Sequence, residues 1–520
     1  MADSATDEDP AAGFGGSDAD DGPAMEFYGG RGASAFPIAF FIVWAVVQTA
    51  LLRVSDTTGL VAGMLLGLIA GMFLVKGSWT GYANTIFDGM TQRVAATAIV
   101  AWMWAGMFTE TLQAGGFVGG LVWIADLLGV GPTVFPAVTF VLAAVLATGI
   151  GTGYGTAVAF VGLFFPAGVL LGASPVLTFG AILSGAIFGD NLAPVSDTTI
   201  VSAVTQDADI GGVVASRFKY AIVAAGIALP AYVVASSLMP GIEVAGDPRQ
   251  VLLEGARPLA LVHLLSVGVV IATAVAGRHI IEAISWGIIV AAALNLLLGL
   301  SSAADILLFR APADAPAADL LGGLPIVEVV SDPSNVGVGG SIYAGAAGFF
   351  ALSILVLLII AAAQIMIEGG AFEAMLDWSI EHLATSVRRA ELTMVGVAAL
   401  VNAAITINTA AEIAIGPYIA KIGERFNING YRRANILDAQ TAALGYIFPW
   451  SGGVLAGYTA MTGLPDTFDW IDQGMLVNPA EVWPFVFHGW VLVAVFVVAA
   501  LTGFGLEYVP DRESEEVARA

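Results

Sequence analysis

Residues 188–199, FGDNLAPVSDTT, place two carboxylates inside a strongly apolar part of the chain. The run before them, VLTFGAILSGAI (176–187), is almost wholly apolar, and the chain turns apolar again after Thr199. An ionisable residue at membrane depth is costly and is usually kept for function. Pro194 removes a backbone donor and clashes with the preceding turn, which predicts a helix break there. The stretch therefore predicts a broken membrane helix with Asp190 and Asp197 at the break.

The composition of the whole chain fits this interpretation. Of the 520 residues, 58% are hydrophobic and only 12% are charged, and the mean hydropathy is +0.86. Such a chain is typical of a multi-pass protein that contacts lipid in the cell membrane, and not of a soluble domain. Because a membrane-spanning helix needs about 20 apolar residues, the apolar runs predict an all-α fold with roughly 11–13 membrane segments.

Charge and cysteine content exclude several other classes of protein. The formal net charge is −24, lysine occurs only three times, and cysteine is absent. The chain therefore cannot form a disulfide or a thiolate metal site, and no basic surface for nucleic acid is evident. An acidic, lysine-poor surface stays hydrated in concentrated salt, so we interpret the acidic termini as halophilic adaptation. A specific basic partner is the alternative.

Shifts in composition divide the chain into five parts. We predict a disordered acidic tail (1–35), a first membrane block (36–240), connecting helices with a polar loop (241–340), a second membrane block (341–506) and a short acidic tail (507–520). The sequence leaves open whether the protein forms a homodimer.

The two membrane blocks resemble each other in pattern. In the first, TGIGTGYGT (148–156) precedes residues 188–199; in the second, NAAITINTAAE (402–412) precedes DAQTAALGYIFPWSGG (438–453). Paired interrupted segments in corresponding halves of a membrane protein indicate an inverted repeat, with the binding site between the halves.

The break in the first block offers every kind of oxygen ligand that a hard cation takes. Carboxylates, amide and hydroxyl oxygens, and backbone carbonyls freed at a helix break can all coordinate such an ion. The candidate Na⁺ ligands are Asp190, Asn191, Ser196, Asp197, Thr198 and Thr199, with Asp190 and Asp197 as the charged pair. The alternative is that Asp197 only caps a helix beginning at Thr198 and that Asp190 lies in an exposed loop.

Polar residues at the other interruptions are further candidates. Thr152 and Thr156 lie in the glycine-rich stretch, which could coordinate an ion or allow close helix packing. Asn408 and Glu412 are four residues apart and share one helix face. Asp438 could join the site or form a surface salt bridge with the nearby Arg432 and Arg433.

A pair of carboxyl groups also provides coupling chemistry. A carboxyl group outside bulk water binds its proton more tightly, and a second one nearby strengthens that effect. Binding of Na⁺ would then release H⁺, and protonation would expel Na⁺. One such site, facing the two sides alternately, is sufficient for exchange without a separate proton pathway or a cofactor.

The segment GAIFGDNLAPVSDTT (185–199) resembles the signature of NhaC-type sodium/proton antiporters. WMWAGMFTETLQAGG (102–116), GTGYGTA (151–157) and FPWSGGVLAG (448–457) also resemble segments of that family. The resemblance implies an ion-transporter-superfamily fold, with a scaffold part and a transport part that contains re-entrant hairpins.

By position, Asp190, Ser196, Asp197, Thr198 and Thr199 match the signature, and Asp438 falls near an acidic position of the family. Two residues depart from it: Asn191 stands where the family usually has Lys, and Ala193 where it usually has Ser. The missing positive charge beside Asp190 leaves room for a second cation or an organic substrate.

Two transport functions and one enzymatic function follow as hypotheses. The first is Na⁺/H⁺ exchange across the cytoplasmic membrane. The second is Na⁺- or H⁺-coupled transport, or exchange, of a small organic solute such as a dicarboxylate or an amino acid. An anionic solute would need a cation in the site, and no intramembrane Arg or Lys is obvious, which favours the first hypothesis. The third is a membrane aspartyl protease, but Asp190 lacks the preceding G-x-G and a Tyr-Asp partner, so we predict no enzymatic activity.

Overall fold

The structure is a computed structural model that describes residues 25–194, 196–239, 241–242 and 257–509. These residues are overwhelmingly helical, which confirms the predicted all-α class. One extended core of buried apolar side chains joins helices from both membrane blocks. The few strands are short: β1 (Glu26–Phe27) pairs antiparallel with β2 (Val75–Lys76), and in the polar loop β3 (Leu308–Pro312) pairs parallel with β4 (Val327–Val330) and antiparallel with β5 (Gly337–Gly339).

The first block begins with a 3-10 helix (Arg31–Ala35) and contains a π-helical turn (Val46–Leu51). Its ten α-helices are α1 (Phe36–Ala45), α2 (Thr57–Met72), α3 (Trp79–Met90), α4 (Arg93–Ala114), α5 (Phe117–Leu127), α6 (Phe135–Ile150), α7 (Gly153–Leu170), α8 (Pro175–Leu192), α9 (Asp197–Thr205) and α10 (Ile210–Leu238).

The connecting part and the second block contain longer helices and several one-turn helices. The connecting part has a 3-10 helix (Pro258–His263), α11 (Leu264–Val275), α12 (Ile280–Leu298), α13 (Ala303–Ile306), α14 (Ala318–Leu321) and a 3-10 turn (Pro333–Asn335). The second block has α15 (Ser341–Ala347), α16 (Phe350–Glu368), α17 (Ala371–His382), α18 (Val387–Ile405), α19 (Asn408–Arg425), α20 (Gly430–Leu444), α21 (Gly452–Thr462), α22 (Leu464–Thr467), α23 (Pro479–Val482) and α24 (Phe487–Thr502), with 3-10 turns at Gln473–Met475 and Trp483–Phe485.

Seven helical segments in the described part of the chain are long and apolar enough to cross a membrane: Arg31–Leu51, Gly153–Leu170, Pro175–Leu192, Ile210–Leu238, Ile280–Leu298, Ser341–Glu368 and Gln473–Thr502. Four shorter apolar helices accompany them: Thr57–Met72, Phe117–Leu127, Phe135–Ile150 and Pro258–Ala274. The protein is therefore a multi-pass membrane protein. The 11–13 predicted segments also include 94–112, 391–407 and the interrupted stretches 409–421 and 435–463, none of which is among these eleven helices.

Each membrane block contains two helix breaks in the same order. In the first block, Gly151 and Thr152 separate α6 from α7, and α8 ends at Leu192 before α9 begins at Asp197. In the second block, Thr406 and Ile407 separate α18 from α19, and residues 445–451 separate α20 from α21. The predicted break at Pro194 is confirmed, because α8 ends two residues before this proline.

The helices that follow these breaks pack across the two blocks. Helix α9 of the first block packs against α19 of the second, and α21 of the second packs against α7 of the first. This reciprocal packing brings the interrupted segments of both blocks together, as the repeated pattern predicts. That the two blocks are related by inverted symmetry stays a prediction.

The predicted tails fall largely outside the described residues. Residues 26–35, which the sequence assigns to the N-terminal tail, form β1 and the first 3-10 helix instead, and Phe27 and Ser34 are buried there. The predicted C-terminal tail lies outside the described residues from position 510 onward.

Candidate cation site

Asp190 lies in the last turn of α8 and is 2% exposed. Its Oδ1 accepts a hydrogen bond from the Ser196 hydroxyl at 2.8 Å. Its Oδ2 accepts from Asn408 Nδ2 at 3.2 Å and from the Tyr446 hydroxyl at 3.1 Å. Three separate segments, two of them from the second block, therefore surround this carboxyl group, and the exposed-loop alternative is wrong for Asp190.

Asp197 begins α9 and is partly exposed. Its Oδ2 accepts a hydrogen bond from the Thr409 hydroxyl at 2.6 Å, and its Oδ1 accepts from the Thr198 backbone N–H at 3.1 Å. Asn408 and Thr409, which contact the two aspartates, are the first two residues of α19. The N-terminal end of a second-block helix thus meets both carboxyl groups, and its dipole stabilises negative charge there.

The hydroxyl groups of the break contact acids of the site and one another. Ser196 occupies the N-cap position of α9, but its hydroxyl donates to Asp190 and lies 3.0 Å from that of Thr198. The Thr199 hydroxyl lies 3.3 Å from Asp438 Oδ2. The structure therefore brings the predicted residues of the first-block break into one polar cluster with α19 and α20, buried except for the partly exposed Asp197.

Asp438 is fully buried in α20, and its partner differs from the one the sequence suggested. It forms an ion pair with Arg217 of α10, and its Oδ1 accepts from Asn191 Nδ2 at 3.2 Å. The surface salt bridge considered from the sequence is wrong: Arg432 pairs with Glu391 and Arg433 with Glu424.

Arg217 also overturns the expectation of a membrane interior without a cation. It has no exposed surface, and its Nη1 donates to the backbone oxygen of Asn191 at 2.6 Å. The Arg217 guanidinium thus contacts the backbone at position 191, where the family usually has Lys, and its charge is paired with Asp438 and not placed beside Asp190. The sequence did not predict a buried Arg217, because SRFKY (216–220) is typical of the basic flank of a membrane helix. In the structure α10 already begins at Ile210, so Arg217 lies about two turns inside the helix.

The remaining candidates lie near the site but do not bind the two aspartates directly. Glu412 is fully buried and accepts from the Thr441 hydroxyl at 2.6 Å. The Thr152 hydroxyl accepts from Gly155 N–H at the start of α7, and the Thr156 hydroxyl donates to the Thr152 backbone oxygen at 2.9 Å. The two threonines therefore stabilise the local turn, and among the described residues no contact of theirs distinguishes them as ion ligands.

Two tyrosines of the site were not predicted from the sequence. Tyr446 donates to Asp190, while the Tyr154 hydroxyl hydrogen-bonds Asn408, and the two rings lie 5.4 Å apart between centroids. Gly153 allows this approach, because a Cβ there would lie 2.9 Å from Asp190 Oδ2 and closer still to the Tyr446 hydroxyl. In the sequence, Tyr154 lies between glycines in GTGYGT and Tyr446 follows a glycine in LGYIFPW. These glycine neighbours were the feature from which the two tyrosines could have been identified.

The cluster offers a cation several oxygens of the type it prefers. Carboxylates of Asp190 and Asp197 lie beside the hydroxyls of Ser196 and Thr409, and Asn191 Oδ1 is buried without a hydrogen-bond partner among the described residues. Such a set of hard oxygen donors at a helix break suits Na⁺.

Comparison with known proteins agrees with this chemistry. The family described as the Na⁺/H⁺ antiporter family matches residues 32–237 and 203–490. The chain belongs to this family. The resemblance seen in residues 185–199 is thereby confirmed, and the protein is a membrane transporter.

Several relatives are antiporters whose names give different substrates. The arginine/ornithine antiporter ArcD of Halobacterium salinarum is 26% identical over 488 residues, covering 88% of this chain and 92% of that protein. The malate-2H⁺/Na⁺-lactate antiporter of Bacillus subtilis is 31% identical over 176 residues, 34% of each chain. The Na⁺/H⁺ antiporter NhaC of Alkalihalophilus pseudofirmus is 27% identical over 170 residues, 30% of this chain and 34% of that protein.

Proposed function

We propose that the protein exchanges Na⁺ for H⁺ across the cytoplasmic membrane by alternating access, and that Asp190 and Asp197 bind either ion in turn. The observation that carries this proposal is the position of the two carboxyl groups at the α8–α9 break. Asn408 and Thr409, neighbours at the start of α19, each contact one of them. Both acids thus lie where the two membrane blocks meet, which is where alternating-access transporters place their substrates.

Coupling follows from competition for the same oxygen atoms. Na⁺ requires charged carboxylates and is helped by the hydroxyls of Ser196 and Thr409, whose oxygens can turn from the acids toward the ion. Protonation of the pair removes the negative charge and with it most of the attraction for Na⁺. Because the site then carries either Na⁺ or protons, reorienting it between the two faces exchanges them.

The organic-solute alternative draws its support from ArcD, whose match covers most of both chains. Arg217 supplies the buried cation that an anionic solute would need, but this charge is already matched by Asp438. Its three guanidinium nitrogens donate to protein oxygens: Nε to Asn435, Nη1 to Asn191, Thr199 and Asp438, and Nη2 to Ser202. A solute carboxylate would have to displace these bonds, so the geometry favours an inorganic cation.

The test is transport by the purified protein in proteoliposomes with an imposed, acid-inside pH gradient, followed by a pH-sensitive dye. External Na⁺ or Li⁺ should dissipate the gradient, whereas K⁺, arginine, ornithine, malate and lactate should not. Asp190→Asn and Asp197→Asn should each abolish the response. Asp314→Asn, an exposed aspartate of the polar loop, is the matched control and should retain it. Dissipation by one of the organic solutes, with none by Na⁺, would establish the alternative.

A further inference from the structure

The guanidinium of Arg217 occupies a cage of oxygen atoms at the α8–α9 break. Its Nη1 lies 2.6 Å from the Asn191 backbone oxygen and 3.2 Å from the Thr199 hydroxyl, and it pairs with Asp438 Oδ2. Its Nη2 lies 3.2 Å from the Ser202 hydroxyl. Arg217 and Asp438 both have fully buried side chains.

These oxygens are the ligand types that an alkali cation takes. They comprise a carboxylate, two hydroxyls and a backbone carbonyl in the last turn of a broken helix. Carbonyls at a helix C-terminus carry partial negative charge and coordinate cations in broken membrane helices. A simple ion pair between α10 and α20 would need Asp438 alone, whereas this guanidinium also contacts the broken helix on both sides, at Asn191 of α8 and at Thr199 and Ser202 of α9.

We propose that Arg217 is a resident cation that fills a second alkali-cation site, built by Asn191, Thr199, Ser202 and Asp438. This second proposal extends the proposed function. It rests on that function in one respect, because it takes the neighbouring Asp190–Asp197 pair as the site that exchanges ions. Because the second site is filled by a side chain that cannot leave, the protein binds one Na⁺ per protomer. Arg217 therefore sets the number of ions carried.

Removing Arg217 should open the second site. In Arg217→Ala the cage keeps its oxygens and the uncompensated charge of Asp438, so Na⁺ can enter. A ligand that binds only the folded state raises its stability with concentration. If Arg217 merely ties helices together, its loss lowers stability by an amount that does not depend on which monovalent cation is present.

The experiment uses the full chain, purified in detergent and 0.5 M NaCl, in an Asp190→Asn/Asp197→Asn background that silences the exchange site. The Tm is measured in NaCl and in choline chloride at equal ionic strength. Arg217→Ala in this background should gain about 3 °C or more in NaCl over choline chloride. The parent with Arg217, and the variant that also carries Asp438→Asn, should each gain less than 1 °C or so. An equal response with and without Arg217 would overturn the inference.

A second measurement on the unmodified protein keeps the inference testable if Arg217→Ala does not fold. Equilibrium binding of radioactive Na⁺ should saturate at one ion per protomer, and saturation at two would overturn it. These readouts do not depend on transport: a protein that fails to exchange Na⁺ for H⁺ in proteoliposomes but shows the Arg217-dependent shift would contradict only the exchange function.

Discussion

Asn408 of the second block donates a hydrogen bond to Asp190 of the first, with 3.2 Å between Nδ2 and Oδ2. The contact joins the start of α19 to the end of α8, residues 218 positions apart in the chain. The adjacent Thr409 makes the equivalent contact with Asp197. A rearrangement of one block against the other must therefore alter the environment of both carboxyl groups, which is the condition for coupling ion binding to access.

Asn408→Ala should weaken Na⁺ binding and slow exchange. The substitution leaves one oxygen of Asp190 without its amide donor and also removes the side-chain acceptor of the Tyr154 hydroxyl, which keeps its contact with the backbone N–H of residue 408. Loss of a buried hydrogen bond to a charged group costs about 1.5–3 kcal/mol, or roughly 10- to 150-fold in apparent affinity. Measurement of the half-saturating Na⁺ concentration in proteoliposomes checks this. Asn335→Ala, at an exposed turn, should leave that value unchanged.

Tyr446→Phe should have a smaller effect of the same sign. The ring, packed against Tyr154, stays in place, and only the hydroxyl that donates to Asp190 is lost. We expect the half-saturating Na⁺ concentration to rise about 10-fold, the lower end of the range for a hydrogen bond to a charged group. Tyr458→Phe removes a hydroxyl that bonds the Ser55 backbone oxygen, away from the acids, and serves as the control. Equal effects of the two substitutions would contradict a role for Tyr446 in the site.

Gly153→Ala should abolish exchange through steric pressure on the site. A methyl group at this position would lie 2.9 Å from Asp190 Oδ2 and would also collide with the Tyr446 hydroxyl. A methyl group added at Gly226 in α10 would instead lie in open space. Gly226→Ala should therefore keep transport intact and, because alanine favours helix, should not lower the Tm. Normal exchange by Gly153→Ala would show that the tight approach of α7 is dispensable.

Glu391→Gln should destabilise the protein without acting on the ion site. Glu391 pairs with Arg432 at 2.6 Å, and both side chains are 1% exposed. Removing one partner of a buried pair leaves an uncompensated charge and costs about 3–5 kcal/mol. Glu507→Gln breaks the exposed pair with Lys219, which is worth at most about 1 kcal/mol. The Tm of each variant is measured by thermal unfolding in detergent. Similar Tm values for Glu391→Gln and Glu507→Gln would contradict the burial of the Glu391–Arg432 pair.

The features that could be predicted from the sequence are those that depend on residues near one another in the chain. Pro194 disfavours a continuous helix whatever its surroundings, and the apolar runs on both sides of residues 188–199 predict that Asp190 and Asp197 lie at membrane depth. This part of the candidate site could therefore be predicted from one continuous stretch of sequence. The burial of Arg217 could not, because its ion-pair partner Asp438 lies on α20, 221 positions away. The same limit applies to Tyr446, whose hydroxyl meets an acid 256 positions away.

Proton release on Na⁺ binding tests the central claim most directly. Purified protein in weakly buffered detergent solution is mixed with NaCl at constant ionic strength, and the pH is followed with an indicator dye. The account predicts acidification by the unmodified protein and by Asp314→Asn, and none by Asp190→Asn/Asp197→Asn. Undiminished proton release from the double variant, or Na⁺ binding by the unmodified protein without any proton release, would contradict it.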